Sequence, residues 1–206
     1  LTALKEGIRY TFSRPDLRLI LAAAGLGSMF GWSYAAILPV IASEVFGQDA
    51  AGLGYLYSAV GIGALAATVL ISLFIHVIGP RPYIIGGSIL SGLALFSFSF
   101  TRDFTLGLGL MFFTGLGLIL QFSVMNSTVQ HTIRDAVRGR VMSIYVTIFR
   151  GAAPFGAFLA GALGDRLGAQ LSVRIMALPM LLTAGFLIAR RRIIPRRLGE
   201  IDDLDV

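Results

Sequence analysis

Long continuous apolar runs dominate this chain, and strand-like alternation is missing from it. Six segments, at about 19–43, 52–78, 83–100, 104–130, 140–163 and 170–189, each come close to what a membrane crossing needs. That requirement is ~20 apolar residues, because a helix rises 1.5 Å per residue and the hydrocarbon core is ~30 Å thick. Helices are predicted over strands because a membrane barrel would alternate lipid-facing and lumen-facing residues. The joints carry turn residues: Gly47-Gln48-Asp49, Gly79-Pro80-Arg81-Pro82, Thr101-Arg102-Asp103 and Gly168-Ala169-Gln170. Before the first run, Leu4, Ile8 and Phe12 recur every fourth position opposite Lys5, Glu6 and Arg9. Residues 1–18 are therefore read as a cytoplasmic amphipathic linker helix lying on the membrane, interrupted at Pro15. Residues 190–206 are read as a cytoplasmic tail whose sign changes from Arg196-Arg197 to Glu200, Asp202, Asp203 and Asp205.

Composition agrees and narrows the class. Of the 206 residues, 56% are hydrophobic and only 14% charged, with a mean hydropathy of +0.82. An ordinary soluble domain carries roughly 25% charged residues. Glycine, at 25 residues, suits helices that pack closely in lipid. Without cysteine there is neither a disulfide nor a thiolate metal site. The chain reads as an all-α membrane protein, a six-transmembrane-helix bundle with the lipid bilayer as its solvent.

The net charge of +6 would raise nucleic-acid binding in a soluble chain, but here the basic residues sort by loop. Lys5, Arg9, Arg14, Arg18, Arg81, Arg134, Arg138, Arg140, Arg190, Arg191, Arg192, Arg196 and Arg197 fall on one side, thirteen in all. Arg102, Arg166 and Arg174 fall on the other, and Arg150 lies within a span. By the positive-inside rule both termini are cytoplasmic, with the spans in the plasma (bacterial inner) membrane. Nucleic acid is not an expected partner. No signal peptide precedes the first run, and a chain starting at Leu1 is expected to begin inside a longer reading frame.

Small residues recur at four-residue spacing: Gly27 and Gly31; Ala59, Gly63 and Ala67; Ala152, Gly156, Ala160 and Gly164. These are predicted helix-packing faces. Gly61-Ile62-Gly63-Ala64-Leu65-Ala66 matches a dinucleotide-binding pattern in form, yet follows no strand and has no acid about twenty residues on. His76 and His131 are the only histidines, and HExxH and GxSxG are absent, so no catalytic residue, metal or cofactor is implied.

The remaining chemistry is polar content inside the spans. No Asp or Glu lies deep in any of them, so this segment offers no carboxylate for proton coupling. Arg150 is the one deep charge, ~16 Å in along its helix by the 1.5 Å rise. Ser143, Thr147 and Pro154 share one face with it, and Pro154 removes a backbone hydrogen bond. An intramembrane ionisable group points to function. Arg150 either engages an anionic or hydrogen-bond-accepting small-molecule substrate or pairs structurally with a carboxylate or exposed carbonyls. Gln121, Ser123, Asn126 and Gln130 add polar groups to the fourth span, and Trp32 an aromatic one deep in the first.

The stretch Ile133-Arg134-Asp135-Ala136-Val137-Arg138-Gly139-Arg140-Val141-Met142-Ser143-Ile144-Tyr145, followed by Gly151, Pro154, Gly156 and Gly161, resembles the loop and eleventh helix of a major facilitator superfamily transporter. The closest likeness is to the enterobactin-exporter-like branch, whose helix before the seventh span also resembles Leu4–Tyr10. The resemblance implies that these are helices seven to twelve, half of a twelve-helix major facilitator fold, with the N-terminal six-helix half of the same chain missing. It implies an efflux transporter for a siderophore, drug or similar amphiphile, working by alternating access. It places Trp32, Gln121, Asn126, Thr147 and Arg150 near the pathway. Gly161–Gly168, containing Asp165 and Arg166, resembles the superfamily's GxLaDRxG motif, and Arg138-Gly139-Arg140 its gating stretch. The usual second-half position reads Gly79-Pro80-Arg81, without the acid. A stand-alone six-helix scaffold or a homodimeric half-transporter is the other reading; six further spans encoded upstream of Leu1 would decide against it.

Overall fold

The fold is that of a computed structural model, which describes residues 2–196 and the side chains of residues 7–196. The side chains of Leu4, Lys5 and Glu6 and the acidic tail beyond Arg196 lie outside the described residues. Every regular element among the described residues is helical: α1 Thr2–Ser13, α2 Pro15–Gly31, α3 Tyr34–Val40 running into a π-helical turn Ile41–Val45, α4 Ala50–Ile78, α5 Pro80–Phe98, α6 Phe104–Thr132, α7 Asp135–Leu167 and α8 Ala169–Ala189. Local chemistry sets several boundaries. The Asp49 carboxylate accepts from the amides of Ala51 and Gly52 at 3.0 and 3.1 Å, and that of Asp103 from Leu106 at 2.7 Å, capping α4 and α6. Pro15 and Pro80 open α2 and α5, where a missing N–H costs nothing. Gly79 ends α4 with φ of +79°, a turn that other residues adopt only under strain.

Among the described residues five helical segments are long and apolar enough to cross a membrane: Pro15–Val45, α4, α6, α7 and α8. The expected third span, α5, falls outside this group. Its first turn is Pro80-Arg81-Pro82-Tyr83, and glycines and serines dilute the rest. It is nonetheless interior, with Ile84, Ser88, Ser91, Leu95 and Phe98 buried. The first expected span is not one helix: α2 stops at Gly31, Trp32 and Ser33 break it, and α3 resumes. Expected to start near residue 140, the fifth helix already begins at Asp135.

Two groups of contacts define the ends of the bundle. At one end Arg14 donates to the Thr132 carbonyl and Arg81 to that of Ile194, and α1 packs on the start of α7, where a Cβ at Gly7 would lie 3.0 Å from that of Arg140. At the other, Arg174 donates to the Ser99 hydroxyl and carbonyl at 3.3 and 3.2 Å, its guanidinium 3.7 Å over the Phe100 ring, while the Gln170 amide donates to the Thr101 carbonyl at 3.0 Å. α5 runs from the first group to the second.

Between the ends, helices meet backbone to backbone. A Cβ on Gly63 would fall 2.0 Å from the Phe112 carbonyl oxygen, and one on Gly115 2.1 Å from that of Val60, so α4 lies directly on α6. On the opposite side of α6, a Cβ on Gly117 would reach the Ser91 amide at 2.6 Å, and one on Gly87 the Gly117 oxygen at 2.6 Å. A Cβ at Gly156 of α7 would sit 1.7 Å from the Met29 oxygen of α2. Of the predicted small-residue faces, Gly63 and Gly156 meet neighbouring backbone and Gly27, Gly31 and Gly164 meet neighbouring side chains, whereas Gly87, Gly115 and Gly117 stand outside those predicted faces. Alanine at Gly115 or Gly156 is expected to destabilise the bundle by about 1–3 kcal/mol through overpacking, read as a lower melting temperature in detergent. Alanine at Gly86 or Gly185, where nothing lies within 4 Å, is expected to leave it unchanged.

Candidate functional site

α4 and α7 differ from the rest of the bundle. Only 17% of the apolar window of α4 and 11% of that of α7 is buried, against 56%, 56% and 44% for Pro15–Val45, α6 and α8. On α4, burial is confined to a stripe through Gly52, Leu56, Gly63, Ala67 and Ile75. On α7 it is confined to Val141, Tyr145, Gly156 and Ala160. A 33-residue helix so little covered leaves a long open side.

Arg150 lies on that open side, midway along α7, and is exposed. It has no ion pair or hydrogen bond among the described residues. Ser143, Thr147 and Pro154 share its exposure, and so does Phe158, at 78% of its area. The i, i+4, i+7, i+11 spacing already united the first four residues; Phe158, four beyond Pro154, continues the same face and was missed. Arg150 does not float free of the core. The residue before it, Phe149, stacks with Tyr145 at 6.2 Å, meets Phe122 of α6 edge-on at 4.9 Å, and accepts a 2.6 Å hydrogen bond at its carbonyl from the Ser28 hydroxyl of α2. The charge is thus held on a backbone pinned by α2 and α6.

The other candidates separate. Thr147 joins Arg150 on the open face. Asn126 is half-buried and accepts from the Gln130 side chain at 3.2 Å, one turn on along α6. Gln121 is fully buried in a slot made by two glycines: a Cβ at Gly27 of α2 would come within 2.9 Å of its amide nitrogen, and one at Gly87 of α5 within 3.1 Å of its Cβ. Neither amide atom of Gln121 has a partner, so it lies inside the bundle and away from the open face in this conformation. Trp32 occupies the α2–α3 break, half-buried, its indole nitrogen likewise buried without a partner. No hydrogen bond links Arg150 to Trp32, Gln121, Asn126 or Thr147.

In the motif stretches, Arg138 forms a 2.6 Å ion pair with Asp135 in the first turn of α7 and donates to the Ile133 carbonyl at 3.5 Å. Gly139 is open, and Arg140 accepts from the Ser143 hydroxyl at its carbonyl, 2.7 Å away. Asp165 and Arg166 are exposed near the end of α7 and form no ion pair among the described residues. Arg174, counted by its position only as a loop charge, instead ties α8 to the end of α5.

Apolar helices long enough to cross a bilayer, one of them with an open polar side, fit a multi-pass membrane protein. The sequence agrees: the profile of a family described as transmembrane secretion effector, within the major facilitator superfamily, matches residues 1–203, and the chain belongs to that family. It is 28% identical over 179 residues to the Staphyloferrin A transporter of Staphylococcus aureus, an alignment covering 85% of this chain and 44% of that protein. It is 27% identical over 188 residues to the Multidrug efflux pump Tap of Mycolicibacterium fortuitum, covering 88% and 44%. The chain spans less than half the length of these relatives.

A buried amide with both ends unpartnered costs about 1–3 kcal/mol relative to an apolar side chain of similar shape. Gln121→Met is therefore expected to raise the melting temperature of the purified protein. A fall would mean that the amide has a partner, such as a buried water, in the folded protein.

Proposed function

We propose that the chain is the C-terminal six-helix half of a twelve-helix major facilitator exporter that moves a siderophore, drug or similar small amphiphile by alternating access. In this reading α5 is also a span and brings their number to six, both ends of the chain are cytoplasmic, and the open sides of α4 and α7 are the seam against the N-terminal half. The observation that carries it is Arg150, a charge with no ion pair or hydrogen bond among the described residues, midway along the least-covered helix. Facing lipid there would cost it ~3 kcal/mol or more, so the face needs a polar counterpart. A second six-helix half leaving an aqueous cavity against α7 supplies one, and the length of the relatives leaves room for it. Their names, a siderophore transporter and a multidrug pump, support an amphiphilic cargo.

Within that cavity Arg150 acts as a fixed fork of donors for an anionic or carbonyl-bearing group of the substrate. Thr147 and Ser143 extend the polar track towards the cytoplasm, and Phe158 gives the apolar part of the cargo a surface beyond Pro154. Asn126 and Trp32 border the pathway, and Gln121 joins it only where α2 and α6 separate during rocking. Asp165-Arg166 and Arg138-Gly139-Arg140 flank the two ends of α7, where helix movement against the partner half is largest. With no acidic residue deep in these spans, proton coupling, where it operates, uses carboxylates of the other half.

In the full-length transporter, Arg150→Ala is expected to cut efflux on the order of 10–100-fold, the worth of a charge-assisted hydrogen bond. Arg150→Lys should retain part of it, with expression unchanged in both. Efflux at the wild-type level by the alanine variant, across a panel of siderophores and cationic and anionic dyes, would remove Arg150 from the pathway. Topology is tested in the cysteine-free background of this segment. Single cysteines at Gln48, Arg102 and Gln170 should react with an impermeant maleimide in intact cells, and those at Pro82 and Ala136 only after permeabilisation. Protection of the Arg102 position in intact cells would overturn α5 as a span.

A further inference from the structure

The segment Pro15–Val45 ends in an irregular stretch. α2 breaks at Trp32 and Ser33, α3 contains Pro39, and Ile41–Val45 form a π-helical turn. The stretch is held firmly at both ends. Before the break, the Ser28 hydroxyl donates to the Phe149 carbonyl of α7 at 2.6 Å. Beyond the π-helical turn, Phe46 meets the rings of Phe98 and Phe104 edge-on at 5.7 and 5.8 Å, where α5 ends and α6 begins. Between these anchors α3 buries Tyr34, Ile37 and Leu38 and lies against α7, where a Cβ at Gly164 would fall 2.1 Å from Cδ1 of Ile37. Its other side, with Ala36, Pro39 and Val40, is exposed.

Proline creates a specific need on this stretch. Pro39 has no N–H to return to the carbonyl four residues earlier, that of Ala35. At membrane depth a carbonyl left in this way needs a donor from elsewhere. That donor comes from α4: the Tyr57 hydroxyl reaches the Ala35 carbonyl at 3.2 Å, so a side chain of another helix fills the place of the missing amide. Tyr57 stands ~10 Å along α4 from Ala50, by the 1.5 Å rise per residue.

The bond is also isolated. Among the described residues it is the one side-chain hydrogen bond between α4 and residues 15–45. α4 is attached elsewhere through its single buried stripe, which meets α6 at Gly63. Tyr57 itself is 43% exposed, so the bond lies at the open surface of the bundle. One replaceable bond thus joins α3 to α4. The Ala35 carbonyl can release Tyr57 only in exchange for another donor, so the seam parts where water or a donor-bearing cargo enters it.

We propose that Tyr57 is a latch on the transport pathway. Its hydroxyl holds α3 to α4 in the conformation seen here, and it yields the Ala35 carbonyl to water or cargo when the seam between the two helices opens. Tyr57 is a positioning residue in this role, acting through the placement of α3. The latch rests on the exporter reading for its link to transport and for the outward side on which the seam opens; the exchange of donors at Ala35 is tested separately from it.

The test uses the full-length transporter with any other cysteines replaced and a single Ala35→Cys, which keeps the main-chain carbonyl. Its rate of reaction with an impermeant maleimide in intact cells reports how often the seam opens. Tyr57→Phe, which removes only the hydroxyl, should raise that rate about threefold to tenfold, the population shift that one net hydrogen bond is worth. Pro39→Ala returns an amide to the Ala35 carbonyl, and in that background Tyr57→Phe should change the rate little. An unchanged rate for Tyr57→Phe beside Pro39, or the same increase with and without the proline, overturns the proposal. So does an Ala35→Cys that stays unreactive in every variant, because the seam would then never meet water. The Tyr57→Phe comparison decides by itself if Pro39→Ala is poorly expressed. Efflux in the same cells separates the latch from the reading it rests on. Export lost in Arg150→Ala with labelling unaltered by Tyr57→Phe strikes only the latch. Accelerated labelling in a protein that exports none of the siderophores and dyes strikes only the exporter reading.

Discussion

Helices in a bilayer gain little by exchanging lipid tails for one another, so their association depends on how closely their backbones can approach. In this chain that approach is made at a few missing side chains. Gly63 and Gly115 let α4 lie on one side of α6, Gly87 and Gly117 let α5 lie on the other, and Gly156 sets α7 against the Met29 carbonyl of α2. α6 is consequently the central beam, gripped on two sides within a few residues. Everything else in the bundle hangs from these contacts, including the slot that encloses Gln121 and the position of Phe149, which aims Arg150 outward.

The distribution of burial follows. α5, α6, α8 and much of α2 bury broad faces, whereas α4 and α7 are attached by single stripes. A helix attached by one stripe presents its remaining faces to whatever lies beyond the bundle. On α4 those faces are mostly apolar. On α7 they carry a track of Ser143, Thr147 and Arg150 ending in Pro154 and Phe158. Under the proposed function, polarity concentrated on the least-covered helix marks the side of the pathway, with the broken α2–α3 segment at Trp32 beside it.

The ends of the bundle are held differently from its middle. Here arginines do the work through carbonyl and aromatic partners: Arg174 on Ser99 and Phe100, Arg81 on Ile194, Arg14 on Asp16 and Thr132. Near the headgroups water and phosphate lower the cost of a charge, and the planar guanidinium satisfies several carbonyls at once. The residues whose count predicts the orientation are therefore also end fasteners of the bundle.

Much of this was legible in the residues themselves. Continuous apolar runs determined helices in lipid, turn residues located their joints to within a few positions, and the spacing of Ser143, Thr147, Arg150 and Pro154 determined a shared polar face, because a helix repeats its face every 3.6 residues regardless of what surrounds it. What periodicity could not decide was which neighbour each face meets. Gln121 and Asn126, five residues apart on α6, look equally polar in sequence, yet only Gln121 falls between Gly27 and Gly87 and is sealed off. The interior role of the weakly apolar α5, the break at Trp32, and the meeting of Tyr57 with the Ala35 carbonyl likewise depend on long-range packing. Those are properties of contacts between distant segments, and only the tertiary structure decided them.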